Sequence, residues 1–115
     1  MSPTARTLAL LRERGYEAQV VERWIPRANI RVDLFGFIDI VAVGKGRTVG
    51  VQACAGASVA PRVHKVREAR TLPAVLKAGW VVLVIGWRKS ARTSRWTYRV
   101  VRIRSPASHT SGNSS

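Results

Sequence analysis

The sequence predicts an α+β fold, a mixed sheet flanked by helices, with elements in the order α-β-β-β-α-β-β. Three observations carry this. A short amphipathic helix opens the chain, three strand-like segments follow on short connections, and a continuous β-rich run comes after a second helical stretch. Consecutive strands on short connections form an antiparallel meander, while an uninterrupted apolar run has the pattern of a central strand buried on both faces.

The first helix is expected over residues 4 to 14 (TARTLALLRER), with Ser2 or Thr4 as cap, Leu8 and Leu11 on one face and Gly15 as the stop. Residues 17 to 25 (EAQVVERWI) are rich in β-branched and aromatic side chains and read as a strand closed by Pro26. A second strand is expected over 33 to 43 (DLFGFIDIVAV), and Gly44-Lys45-Gly46 turns it into a third, 48 to 54 (TVGVQAC). A small-residue loop, 55 to 60, leads to Pro61, which suits the first turn of a helix continuing through RVHKVREAR. A further short turn follows Pro73 and ends at Gly79. The strand 80 to 87 (WVVLVIGW) and an alternating strand, 95 to 103 (RWTYRVVRI), complete a single domain expected over residues 1 to 104. From Ser105 onward nothing apolar remains to bury, so the tail is expected to be disordered.

At 115 residues and 46% hydrophobic, the chain suffices for one compact domain with a core of its own. It carries 20 Lys and Arg against 6 Asp and Glu, a formal charge of +14, which makes an anionic polymer the expected partner. Arg dominates the basic set and its planar fork suits phosphate oxygens, although a coding bias toward Arg would give the same count. One cysteine excludes an internal disulfide and points to a reducing compartment, and no Cys or His cluster has zinc spacing. The opening residues lack the apolar stretch of a secretory signal, and the longest apolar run, 79 to 87, is far short of a membrane span. A cytoplasmic protein with no membrane partner is therefore expected.

Asp39 is the residue that packing does not explain, because burying a carboxylate is costly unless it is paired or bound to a metal. Asp33, Phe35, Phe37 and Asp39 nominally share one strand face, a count that a bend at Gly36 would break. Gln52 and Cys54 share a face of the next strand, and pairing around the Gly44 to Gly46 turn would set Gln52 near Asp39. The pattern Asp39, twelve intervening residues, then Gln52-Ala53-Cys54 resembles the PD-(D/E)XK nuclease superfamily, where an Asp is followed on the adjoining strand by Glu or Gln, one residue, and Lys. The wider stretch, roughly residues 15 to 90, is similar to small phage and bacterial members near the VRR-NUC and Holliday-junction-resolvase branches. The residues that carry this are Glu22 to Trp24, Asp33 to Asp39, Val51 to Cys54, Arg62 and Lys65 on the following helix, and the pair Gly86-Trp87.

The resemblance implies a restriction-endonuclease-like α-β-β-β-α-β core with one extra C-terminal strand, and hydrolysis of DNA phosphodiester bonds, branched DNA included. It further implies a magnesium or manganese ion held by Asp39, by the side-chain oxygen of Gln52 and by the main-chain carbonyl of Ala53. Glu22 is the first choice for a third carboxylate, ahead of Glu13 and Glu17. Cys54 stands where the superfamily has its lysine, and a neutral thiol supplies no positive charge, so Lys65 is the candidate for that role. Arg62, Arg67, Arg88, Lys89 and Arg92 would hold the nucleic-acid backbone, and a chain this small that cuts both strands would act as a homodimer. The alternative is a catalytically inactive nucleic-acid-binding protein on the same fold. An RNA-structural protein, the third reading, leaves Asp39 without a role.

Plainer readings stand beside these. Asp33 reads equally as a strand-start residue tied to Arg31 or Arg23, Gln52 as a buried amide bonded to backbone, and Cys54 as an ordinary buried side chain. Trp24, Trp80, Trp87 and Trp96 read as core or cover, with Trp96 and Tyr98 on the arginine-rich last strand as candidates for base stacking. The loop WRKSARTSR, 87 to 95, is a solvated basic hairpin that would lie along a phosphate backbone. GKGRTVG, 44 to 50, lacks the Lys-Ser/Thr ending of a phosphate loop and reads as a hairpin turn.

Overall fold

The computed structural model describes residues 1–105; apart from Ser105, the expected tail lies outside the described residues. Helix α1 (Pro3–Glu13) is capped by Ser2, whose hydroxyl accepts a hydrogen bond from Ala5 N at 3.1 Å, with Pro3 in the first turn where its missing N–H costs nothing. Strands β1 (Glu17–Val20), β4 (Ile40–Gly44), β5 (Arg47–Ala55), β6 (Val81–Lys89) and β7 (Trp96–Ile103) form one sheet in the order β1-β4-β5-β6-β7. Strands β2 (Arg23–Ile25) and β3 (Ile30–Val32) pair only with each other. All strand pairs are antiparallel except β5 with β6, whose parallel pairing needs a crossover. A 3-10 turn (Gly56–Ser58), α2 (Val59–Glu68) and α3 (Leu72–Lys77) supply it.

The fold is α+β with a mixed five-stranded sheet flanked by helices, as the element order predicts. Alternation along β5 divides the core. Val49 and Val51 pack with Leu11 of α1, Ile40, Ala42 and Ile85 on one face. Cys54 packs with Val59 and Val66 of α2, Leu72 and Val75 of α3, Val82, Val84 and Ile103 on the other. Trp87 ties α1 to the sheet by donating from its indole N–H to the buried Thr7 hydroxyl at 2.9 Å. No helix among the described residues is long and apolar enough to cross a membrane.

Two expected strands are corrected. Residues 17 to 25 are not one strand: β1 ends at Val20, and the N–H groups of Val21 and Glu22 both turn onto the Asp39 carbonyl, at 2.8 and 3.3 Å. The chain leaves the sheet there because β4, its neighbour, begins only at Ile40. Residues 33 to 43 are not one strand either. Phe35 and Gly36 take φ values of +56° and +85°, and the reversal is closed by Leu34 N to Ile38 O and Ile38 N to Leu34 O, both at 2.9 Å. The expected hairpin does form at Lys45-Gly46, with φ +53° and +75° and Gly44 opposite Arg47, the backbone of a two-residue type I′ loop.

Candidate metal centre

Three carboxylates converge where the β2–β3 hairpin meets the sheet. The last pair of that hairpin is Arg23 with Val32, so Glu22 and Asp33 are the next residues out on either side. The bridge between Leu34 and Ile38 likewise makes Asp33 and Asp39 the next residues out at its foot. Asp33 belongs to both reversals, and one ligand oxygen from each of Glu22, Asp33 and Asp39 lies within 4.8 Å of the others. Three of the chain's six acidic residues thus meet at one point, which could hold a metal ion.

Asp39 is 4% exposed, and its Oδ2 accepts from Ala53 N at 2.9 Å. Ala53 lies beyond the last β4 pair, Ile40 with Val51, so its N–H is there for the carboxylate to take. Burial, opposed by that hydrogen bond and helped by the neighbouring Asp33 and Glu22 charges, pushes the Asp39 carboxyl up to about 7. Two cations answer the other acids: Arg31 reaches Glu22 at 3.5 Å and Lys65 reaches Asp33 at 3.5 Å. Asp33 is therefore tied to the cluster and to Lys65, not to Arg31 or Arg23.

Gln52 sits beneath the cluster, 1% exposed. Its Nε2 donates to Phe37 O at 2.6 Å and more weakly to Asp33 Oδ2 at 3.4 Å, while its Oε1 accepts from Arg62 Nη1 at 2.8 Å and Lys65 Nζ at 3.4 Å. The oxygen expected to face a metal thus faces two cations instead. Turning the amide over would set that oxygen against two acceptors, so the hydrogen bonds fix its direction. Gln52 serves as a brace joining the 34–38 reversal to α2, while Asp33 lies in the acidic cluster that could hold a metal ion.

An open groove of about 940 Å³ runs over the cluster. One wall is the start of α1, the other is the β2–β3 hairpin through Trp24 and Arg31, and Ala53, Cys54, Arg62 and Lys65 line it further. Cys54 is 3% exposed and burial pushes its thiol up, so it is not a thiolate near neutral pH.

The expected backbone-binding residues are spread more widely. Arg62 faces the groove. Arg88 and Lys89 line a shallow depression that shares Pro3 and Ala55 with the groove, where Arg6 lies 3.7 Å over the Trp96 ring. Arg67 borders a separate depression with Arg99, and Arg92 lies on the exposed β6–β7 loop. The sequence reading passed over Trp24 as core or cover, whereas it is 52% exposed. Pro26, closing a very short strand, was the available sign that this segment leaves the sheet.

The donor set suits a hard divalent cation. It is all oxygen, and the Asp39 carboxyl, raised chiefly by burial and further by its acidic neighbours, is one whose charged form a bound cation would stabilise. Comparison of the chain with protein-family models, with curated proteins and with solved structures gives no match.

Proposed function

We propose that this protein is a divalent-cation-dependent nuclease that hydrolyses DNA phosphodiester bonds, on a restriction-endonuclease-like variant of the fold. The observation that carries the reading is the convergence of Glu22, Asp33 and Asp39 in an open groove on a chain of net charge +14. A basic chain gains nothing in stability by packing its few acids together. It gains a cation site beside a surface that attracts polyanions. The antiparallel trio β1-β4-β5, the helical crossover and the parallel β6 support the fold assignment.

Glu22, Asp33 and Asp39 would hold magnesium or manganese, which supplies a polarised phosphoryl oxygen and a water of lowered pKa. Lys65, exposed at the rim and 3.5 Å from Asp33, would orient the attacking water, the role the superfamily gives its lysine. Arg62 binds and positions the phosphate, with Gln52 holding its guanidinium toward the groove. The Ala53 N–H fixes the direction of the Asp39 carboxyl by donating to its Oδ2.

The test is cleavage of labelled linear, nicked and four-way-junction DNA with magnesium or manganese, beside Asp39→Asn at matched salt. Cleavage that falls by more than about 100-fold in the variant is expected, since even outer partners of metal ligands cost about 10–100-fold when lost. The second reading, a binding protein without catalysis, is favoured by the neutral Cys54 and the capped Gln52 oxygen. Salt-sensitive binding with no cutting by either protein would establish it.

A further inference from the structure

The β2–β3 hairpin stands outside the sheet, and its residues 23 to 32 (RWIPRANIRV) include three arginines and no acid. Trp24 and its cross-strand partner Arg31 both face the groove. The other three tryptophans each have an aromatic or cationic partner: Trp80 with Phe35, Trp87 with Tyr98, and Trp96 with Arg6. Among the described residues the Trp24 side chain has no such partner and no hydrogen bond, belongs to neither core cluster and is 52% exposed. A large ring left bare on a basic arm, two residues from the carboxylate Glu22, is built for something that arrives from outside.

We propose that this hairpin is a clamp for unpaired nucleotides, with Trp24 stacking on a base splayed out beside the carboxylate cluster and Arg31, on the same hairpin face, meeting its phosphates. The proposal rests on the nuclease reading and names the substrate class of that same site: single strands, or the unpaired positions of flaps and junctions. Base pairs in a continuous duplex are already stacked, so their faces are closed to an indole from the side. An unpaired base is open to it, and such stacking tolerates any sequence. Three arginines on the arm favour a nucleic acid over a second copy of this chain, which would bring like charge to like.

The experiment measures binding of fluorescently labelled oligothymidylate and of a labelled blunt duplex at fixed salt, with calcium replacing magnesium to suppress cleavage. Trp24→Ala is expected to weaken oligothymidylate binding about 5- to 150-fold, to leave duplex binding within twofold, and to leave the thermal midpoint unchanged. Trp24→Phe, which keeps a stacking face, should recover most of the loss. Equal losses on both ligands, no loss on either, or no oligothymidylate binding by the unsubstituted protein would overturn the proposal. A protein that binds single strands through Trp24 yet never cuts would sink the nuclease reading and keep the clamp. Cutting that ignores Trp24 would do the reverse.

Discussion

Two reversals in this chain share one backbone device. At Lys45-Gly46 and at Phe35-Gly36 a non-glycine and then a glycine take positive φ in succession. The first joins β4 to β5 in solvent, its Lys45 Nζ lying 5.1 Å from the centroid of the Tyr16 ring. The second sits in an apolar run, buries Phe37 and Ile38 completely, and sets Asp33 beside Asp39. The same pair of positive-φ residues serves a two-residue connector where its flanks are ordinary strand residues and a three-residue reversal beside the acidic cluster where its flanks are acids.

Breaking the site-forming reversal at its foot should have the largest effect. Asp33→Asn removes one of three charges and is expected to weaken manganese binding, read by calorimetry, by about 10–100-fold. Lys45→Ala, in the other reversal, should leave it unchanged. Equal affinities in all three proteins would show that Asp33 belongs to Lys65 alone.

Attacking the two glycines separates strain from function. A β-branched side chain at φ +85° or +75° is strained, so Gly36→Val and Gly46→Val should each lose about 1–3 kcal/mol in urea unfolding. Only Gly36→Val should also lose metal affinity, because only that reversal aims carboxylates. Loss of affinity in both would mean that the site responds to global stability.

The pH dependence of stability tests the Asp39 end of the same reversal. The Asp39 carboxyl is raised from 3.8 to about 7, so the folded chain holds a proton that the unfolded chain has released between those values. Stability from this group is therefore present below about pH 4 and is lost as pH rises to about 7. The metal-free melting midpoint should fall more between about pH 5 and pH 8 in the unsubstituted protein than in Asp39→Asn. Manganese should restore it at the higher pH. Identical slopes would place the titration elsewhere.

The turn at Lys45-Gly46 is legible because Gly-Lys-Gly interrupts two apolar runs, and α1, β5, β6 and β7 are legible from capping and periodicity. The turn at Phe35-Gly36 is hidden because Asp-Leu-Phe-Gly-Phe-Ile-Asp satisfies strand composition on both sides of its glycine. What reveals it is the positive φ of Phe35 and Gly36 and the bridge that pairs Leu34 with Ile38. Glu22 and Asp39 could be chosen as site residues from sequence. Asp33 could not be separated from an ordinary strand start, because its partners Lys65 and Gln52 lie far along the chain. Gln52 was given a ligand's role because residue type shows that an amide can offer oxygen, and hydrogen-bond direction is set only by the folded neighbours.

The groove has one wall pinned and one wall loose. Helix α1 is held by its Ser2 cap, by buried Leu11 and by the Trp87 to Thr7 bond, whereas the β2–β3 ladder answers only to itself. Amide protons of residues 23 to 32 should therefore exchange with solvent through a local opening that leaves the sheet intact, while those of α1 should wait for a larger unfolding event. Ordering the loose wall would then draw on the free energy of whatever fills the groove, so bound and free chains should differ most in exchange protection at that hairpin.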